Sequence, residues 1–290
     1  MILNVQVDSG PVTWPAIVVH GGAGTYERLF AGNEELGAVL HSAIKTALDA
    51  GWAALSGGDP LEAVIAAIEF LENHGGFNAG RGSVPNTAGG VEMDAGVMDD
   101  AGNAGAVACM TVHSDIRSAE AVMRADGPLL LAGPNADRFA ARGGVPRLSA
   151  GDPTGLSDEG TVGAVAVGKD GRFAAASSTG GRPGQMPGRV GDTPIPGAGF
   201  WAQPGCAVSA TGAGEAFVLA GFSRLVGSRV AAGEDLPPAL RAGLEAVASH
   251  GGSGGGIALG PDRTWATAFS TAAMARGVRH AGGSHVVILG

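Results

Sequence analysis

Apolar positions recur along this chain with two distinct periods. Short apolar runs closed by glycine mark buried strands: residues 14–20 (WPAIVVH), which end in Gly21-Gly22-Ala23-Gly24, then 104–113 (AGAVACMTVH) and 206–212 (CAVSATG). TVGAVAVG from Thr161 and RFAAASS from Arg172 flank Asp170-Gly171, a hairpin signal. Further strands are predicted at 255–260, 264–270 and 284–289, and short ones after the Gly-rich loop that opens 77–103. The helical period governs 34–56, with Leu36, Val39, Leu40, Ile44 and Leu48 on one face and a stop at Gly57-Gly58. A second helix opens at Asp59 as N-cap, Pro60 as first residue and Glu62 as the return arm of a capping box. Its face is Leu61, Val64, Ile65, Ile68 and Leu71, and it ends at Asn73-His74-Gly75-Gly76. Helices are also predicted at 118–125, 135–142, 214–231 and 237–249.

Strands and helices mix in both halves without regular alternation, and hairpins favour antiparallel pairing. The predicted class is α+β, with two antiparallel sheets face to face and helices outside. Residues 143–160 (GGVPRLSAGDPTGLSDEG) are linker-like, with little to bury, and 180–199 is a Gly/Pro-rich loop. No internal repeat is found.

Composition narrows the function. Of 290 residues 52 are glycine, against a usual ~7%, and only 16% are charged, against a usual ~25%. Glycine follows no three-residue period, so a collagen is excluded. With 45% hydrophobic residues, disorder is excluded as well. The net charge of −9, only two lysines (Lys45 and Lys169) and no basic stripe argue against nucleic acid as a partner. Every apolar run is broken too early to span a membrane. Met1 to Val12 has no basic stretch leading into a long apolar one, so no leader is expected and the cytoplasm is the expected location. Cys109 and Cys206 read as buried free thiols. Histidines 20, 41, 74, 113, 250, 280 and 285 are scattered, without HExxH or CxxC, and no GxSxG elbow exists. No cofactor is therefore expected for catalysis.

Glycine clusters by themselves read as tight turns. Gly212-Ala213-Gly214 follows a strand and opens a helix, where free N–H groups can hold an anion. The junction Gly160-Thr161, where linker meets strand, allows two readings. It is an ordinary strand start, or the chain cuts itself there by attack of the Thr161 hydroxyl on the Gly160 carbonyl. Glycine accepts the backbone angles such a carbonyl requires. Cutting would free the Thr161 α-amine, whose pKa of about 7.7–8.0 suits it to take the hydroxyl proton. Thr179, ending the paired strand, could orient that hydroxyl. The Thr211 hydroxyl and Gly212 N–H could form an oxyanion hole. In GRVGD (188–192), Arg189 offers a fork for a carboxylate and Asp192 a partner for an ammonium; an isolated RxxD is otherwise a loop salt bridge.

Together these segments resemble one family, the plant-type L-asparaginases and isoaspartyl peptidases of the N-terminal nucleophile (Ntn) hydrolases. The resemblance rests on IVVHGGAG (17–24), FNAGRGS (77–83), MDAGVMDD (93–100), GTVGAVAV (160–167), STGG (178–181), GRVGD (188–192), PGAG (196–199) and ATGAGE (210–215), in order over most of the chain. It implies a four-layer αββα sandwich as a single domain over 1–290, cut into α (1–160) and β (161–290) subunits that assemble as (αβ)2. It implies Thr161 as nucleophile with Thr179 beside it, and Arg189 and Asp192 on the α-carboxylate and α-ammonium of a small-molecule substrate, L-asparagine or a β-aspartyl dipeptide. Thr211 and Gly212 would form the oxyanion hole, Gly214 would line the pocket and Asn78 would face the nucleophile. Backbone carbonyls of Leu71, Glu72, His74, Phe77, Ala79 and Arg81 would hold a structural sodium ion.

Three features depart from the family pattern. The linker before Thr161 is short, Ala213 stands where many members carry a polar residue, and RPGQMP (182–187) lacks an Asn-Lys pair. Two rival readings are a glycosylasparaginase-like amidase, which GTVG, STGG and ATGAGE disfavour, and an uncleaved, non-catalytic binder of aspartyl ligands.

Overall fold

The computed structural model describes residues 3–26, 32, 34–112, 114–148 and 160–288. Most of the predicted linker (149–159) and His113 lie outside the described residues. In chain order the elements are β1 (Gln6–Pro11), β2 (Ala16–Gly24), α1 (Glu34–Ser56), α2 (Pro60–His74), β3 (Met93–Asp99), β4 (Ala104–Met110), α3 (Asp115–Arg124), β5 (Leu130–Ala132) and α4 (Pro134–Arg142). After the linker come β6 (Val162–Val167), β7 (Phe173–Thr179), β8 (Phe200–Gln203), β9 (Cys206–Gly212), α5 (Gly214–Ala220), α6 (Phe222–Ala231), α7 (Leu236–Ser249), β10 (Gly254–Leu259), β11 (Thr264–Phe269), β12 (Ala273–His280) and β13 (Gly283–Val287).

Among the described residues the strands form a five-stranded sheet, ordered β1-β11-β10-β9-β8, and an eight-stranded sheet, ordered β13-β12-β2-β6-β7-β3-β4-β5. Pairing is antiparallel except β4 with β5, which run parallel. The period-two pattern sorts side chains between layers. Val18, Val165 and Ala175 of the larger sheet meet Phe200, Ala207, Ile257 and Trp265 of the smaller one. The alternate positions Ile17, Val19, Ala164, Ala166, Ala174 and Ala176 pack instead with α1, α2 and α3. On the far side of the smaller sheet, Val208, Ala210, Ala258 and Ala266 lie under α5, α6 and α7, beneath Phe217, Phe222, Leu240 and Leu244.

Helix α2 starts as predicted, with Pro60 first and the Asp59 carboxylate accepting from Leu61 N–H at 3.0 Å. The capping box does not close, because the Glu62 carboxylate pairs with Arg117 at 2.9 Å. The continuous helix predicted at 214–231 breaks at Gly221, which is left-handed at φ 57° and separates α5 from α6. Both thiols are free. No helix among the described residues is long and apolar enough to cross a membrane.

Candidate active site

Thr161 sits one residue before β6, in the middle of the larger sheet, where β2 and β7 flank that strand. The β6–β7 register pairs Val162 with Ser178 and so brings Thr161 level with Thr179. Both threonines are buried, and both line a cavity of about 670 Å³. Asn78, Gly160, Arg189, Asp192, Gly212 and Gly214 line the same cavity. Residues predicted from five separated motifs therefore converge on one space.

The contacts differ in detail from those expected. The Thr161 hydroxyl meets Thr193, with Oγ1 atoms 3.3 Å apart, and the Thr179 hydroxyl accepts from Gly181 N–H at 3.3 Å. Thr211 lies behind the cavity wall, fully buried, its Oγ1 accepting from Ala23 N–H at 3.4 Å. It also backs Gly160, whose φ is +23°: a Cβ there would stand 2.7 Å from Thr211 Oγ1 and 3.2 Å from Gly22 Cα. An L side chain at 160 would be strained in backbone and in space at once. Asn78 braces the wall, giving Nδ2–H to the Gly181 carbonyl at 2.7 Å and accepting from Val84 N–H at 3.3 Å.

Next to Thr161, β2 carries His20 across from Gly163. His20 is fully buried, with Nε2 3.3 Å from Ser209 Oγ, and burial pushes its pKa down to about 3 against a smaller opposing pull from the Thr161 backbone. It is a neutral packing group that joins the two sheets.

The pair expected to grip a substrate is organised around Arg189. Its guanidinium donates from Nε and Nη2 to the two oxygens of Glu215, both at 2.9 Å. The arginine half of the expected RxxD pair is thus matched by the first turn of α5 rather than by Asp192. A Cβ on Gly214 would fall 2.7 Å from Arg189 Nη2 and 3.1 Å from Asp192 Oδ1, so the absent side chain lets the guanidinium lie against the turn. Burial raises the Asp192 pKa to about 7, offset in part by Arg189, and its Oδ2 is buried without a partner among the described residues. Asp94, at the start of β3, is pushed up to about 6 by burial; its Oδ1 accepts from Cys109 N–H at 2.8 Å. Arg189 pulls Glu215 down to about 2.

Sequence reasoning gave no role to Thr193, Glu215 or Asp94. All three stand inside or beside quoted motifs, yet spacing says nothing of which side chains turn towards Thr161 or Arg189.

The carbonyls expected around sodium belong to the last turn of α2 and the loop behind Asn78. A Cβ on Gly80 would meet Glu72 O at 2.5 Å, and one on Gly82 would meet Phe77 O and, at 2.8 Å, Gly75 O. Phe77 O and Ala79 O each accept one backbone bond, from Ala79 N–H and Gly82 N–H. The Glu72 side chain, buried and raised to about 7 by desolvation, accepts from Ser114 Oγ, Ile116 N and Ser178 Oγ at 2.7–2.9 Å. It fixes the end of α2 to α3 and to β7 next to Thr179.

Comparison with known proteins agrees with this geometry. The chain is 40% identical over 292 residues to a plant-type L-asparaginase of Pyrobaculum calidifontis, covering 90% of this chain and 95% of that one. An isoaspartyl peptidase/L-asparaginase of Xenopus laevis is 37% identical over 90% of each chain. An isoaspartyl peptidase of Salmonella typhimurium is 36% identical, over 92% of this chain and 95% of its own. A family model described as asparaginase matches residues 13–153 and 148–289, which takes in every segment lining the cavity. This chain belongs to the asparaginase family.

Proposed function

We propose that the protein is an L-asparaginase and isoaspartyl peptidase that works through Thr161 after cutting itself between Gly160 and Thr161. The observation that carries this reading is the meeting, in one cavity, of the Thr161 hydroxyl with a guanidinium and a buried carboxyl that has one oxygen without a partner among the described residues. An aspartyl head has the complementary pair of charges.

In the first cut, Thr161 Oγ adds to the Gly160 carbonyl carbon and the Gly160–Thr161 C–N bond breaks. The resulting ester is hydrolysed by water, leaving Gly160 a carboxylate and Thr161 a free amine. The positive φ of Gly160, a conformation that a side chain there would oppose, favours presentation of that carbonyl. The chain then comprises α (1–160) and β (161–290) subunits in a four-layer αββα sandwich, assembled as (αβ)2.

In turnover, Arg189 and Asp192 hold the α-carboxylate and α-ammonium. The Thr161 amine takes the hydroxyl proton and Oγ attacks the side-chain amide carbonyl. Gly212 N–H receives the oxyanion together with the Thr211 hydroxyl, which becomes accessible from the cavity once the cut frees Gly160 from beside it, each such donor contributing about 2.7–4 kcal/mol in comparable sites. Thr179 and Thr193 orient the nucleophile, Gly214 leaves room for the head, and Asn78 assists from the opposite wall. Ammonia or an amino acid leaves with a proton, and water releases L-aspartate from the acyl-enzyme. The carbonyls of Leu71, Glu72, His74, Phe77, Ala79 and Arg81 would hold a sodium ion. It would supply positive charge at a helix C-terminus and so stiffen the loop bearing Asn78.

The test is N-terminal sequencing of aged protein together with aspartate release from L-asparagine, β-Asp-Leu and β-Asp-Arg. A new terminus at Thr161 and turnover of these substrates are expected. Turnover by protein that remains full-length would overturn the mechanism, and cleaved protein inert on all three would overturn the substrate assignment.

A further inference from the structure

Arg182 opens the loop that follows β7, on a rim shared by the active-site cavity and a shallower groove of residues 182–189 and Glu215. Its backbone N–H is held by Gln185 Oε1 at 3.0 Å. Its guanidinium makes no hydrogen bond or ion pair among the described residues. The other cation lining the cavity, Arg189, is already matched by two bonds to Glu215. Near Arg189 stand two further carboxyls, Asp94 and Asp192. Apart from Arg182, this end of the cavity is balanced or acidic.

That balance bears differently on the two substrate classes. L-Asparagine enters as a zwitterion with no net charge, and Arg189 and Asp192 answer both of its charges. A β-aspartyl dipeptide carries a second carboxylate, on the leaving amino acid and only a few bonds from the first. It enters as a net anion beside three carboxyls and one occupied guanidinium. The charge of Arg182 reaches Glu215, as that of Arg189 does, so the two guanidiniums share one end of the cavity, as the two carboxylates share one small substrate. A guanidinium on the rim can take a carboxylate by two parallel bonds without leaving water entirely.

We propose that Arg182 is a specificity-determining residue that binds the α-carboxylate of the leaving amino acid and so selects β-aspartyl dipeptides with a free C-terminus. The inference rests on the isoaspartyl peptidase reading above. No covalent bond to Arg182 forms or breaks.

The test compares β-Asp-Leu with its C-terminal amide, which share head, scissile bond and leaving side chain and differ in one carboxylate. The readout is the ratio of their kcat/KM values. A ratio measured within one preparation is insensitive to the folded or cleaved fraction. Wild type should favour the free acid. In R182M the ratio should fall roughly 5–10-fold, mainly through KM of the acid, a loss suited to a charge-assisted pair at a wet rim. R182K should keep part of the preference, and 0.5 M NaCl should shrink the wild-type ratio by screening. A ratio that is the same in R182M and wild type overturns the assignment while leaving the peptidase reading intact. Cleaved wild type that releases aspartate from neither compound overturns that reading and this inference with it.

Discussion

Thr193 gives the sharpest test of how the nucleophile is held. Its hydroxyl oxygen is 3.3 Å from that of Thr161, both residues are buried, and no other side chain bonds the Thr161 hydroxyl among the described residues. Valine has nearly the outline of threonine without its hydroxyl, so T193V deletes the contact and keeps the packing. A net hydrogen bond contributes about 0.5–1.5 kcal/mol, and stranding a buried partner costs about 1–3 kcal/mol. Two features place this case at the lower end. The separation is longer than the ~2.7–2.8 Å usual between hydroxyls, and Thr161 lines an open cavity where water can replace the lost partner. The expected loss is about 1 kcal/mol of barrier, roughly fivefold in rate. It should appear in kcat for aspartate release from L-asparagine, with KM within twofold, because Thr193 orients the attacking oxygen and leaves the substrate's charges to Arg189 and Asp192. T193S retains the hydroxyl and should stay within twofold of wild type. Were T193V as fast as wild type, or T193S as slow as T193V, the hydroxyl contact would have no part in catalysis.

T161A should remain a single full-length band on a denaturing gel and release no aspartate; measurable turnover would remove Thr161 from its role. G160A should slow the appearance of the 1–160 and 161–290 fragments at least tenfold, since a Cβ at φ +23° costs roughly 1–2 kcal/mol before its contact with Thr211 is counted; cleavage at the wild-type rate would show that the scissile carbonyl is not held as described. Because burial raises Asp192 to about 7, its charged form is lost as pH falls through neutrality rather than near 4. The acid limb of kcat/KM should therefore steepen towards two protons, one on Asp192 and one on the Thr161 amine, and D192N should reduce it to one; a limb of unchanged slope in D192N would contradict the assignment. Exchanging 0.1 M NaCl for choline chloride at the same ionic strength should lower the Tm by about 2–4 °C if the α2 carbonyls hold sodium, and equal melting in both salts would count against the ion.

The architecture was legible wherever burial followed a simple period. β2, β6, β7 and β9 are apolar runs because they are covered on both faces, and α1 and α2 show their buried stripes directly, except that Val39, expected on the face of α1, is exposed. Four strands were missed, β1, β5, β8 and β12, and β1 and β12 show the physical reasons. β1 (QVDSGP) is an edge strand paired only with β11, half exposed, with no reason to be apolar. β12 (AMARGVRH) contains charges, yet Arg276 is buried, stacked 4.9 Å over Phe269 and 3.7 Å from Asp8 of β1. Its burial depends on a partner far away in sequence. The break at Gly221 is not visible in the sequence because the apolar pattern of 214–231 continues across it and only the left-handed turn at Gly221 separates the two helices. In the site, contiguous motifs named residues most of which line one cavity, but their pairings are three-dimensional. Arg189 faces Glu215 because α5 starts where β9 ends, and Thr161 meets Thr193 because the loop after Asp192 folds back over the β6 start.

The electrostatics of the empty cavity explain why these pairings matter. Arg189 is neutralised by a carboxylate that is itself 62% exposed, so its partner can exchange with another anion at modest cost. Asp192 is held in a place that disfavours its charge, with one oxygen unpartnered. The Asp192 half of the proposed grip is thus incomplete without a ligand, the Arg189 half can exchange its rim partner, and one small zwitterion carries a charge for each. An ammonium beside Asp192 offsets the desolvation that raised its pKa, so the carboxylate is most stable when the head is bound. The α-carboxylate offers Arg189 the same fork geometry as Glu215, from inside the cavity rather than from its rim. A lone carboxylate would satisfy Arg189 and leave Asp192 desolvated and unpaired, a penalty of about 1–3 kcal/mol or more for a charged group. On the proposed reading, selectivity for an intact aspartyl head follows from one unfinished carboxyl and one exchangeable pair held side by side, before any contact with the leaving group is counted.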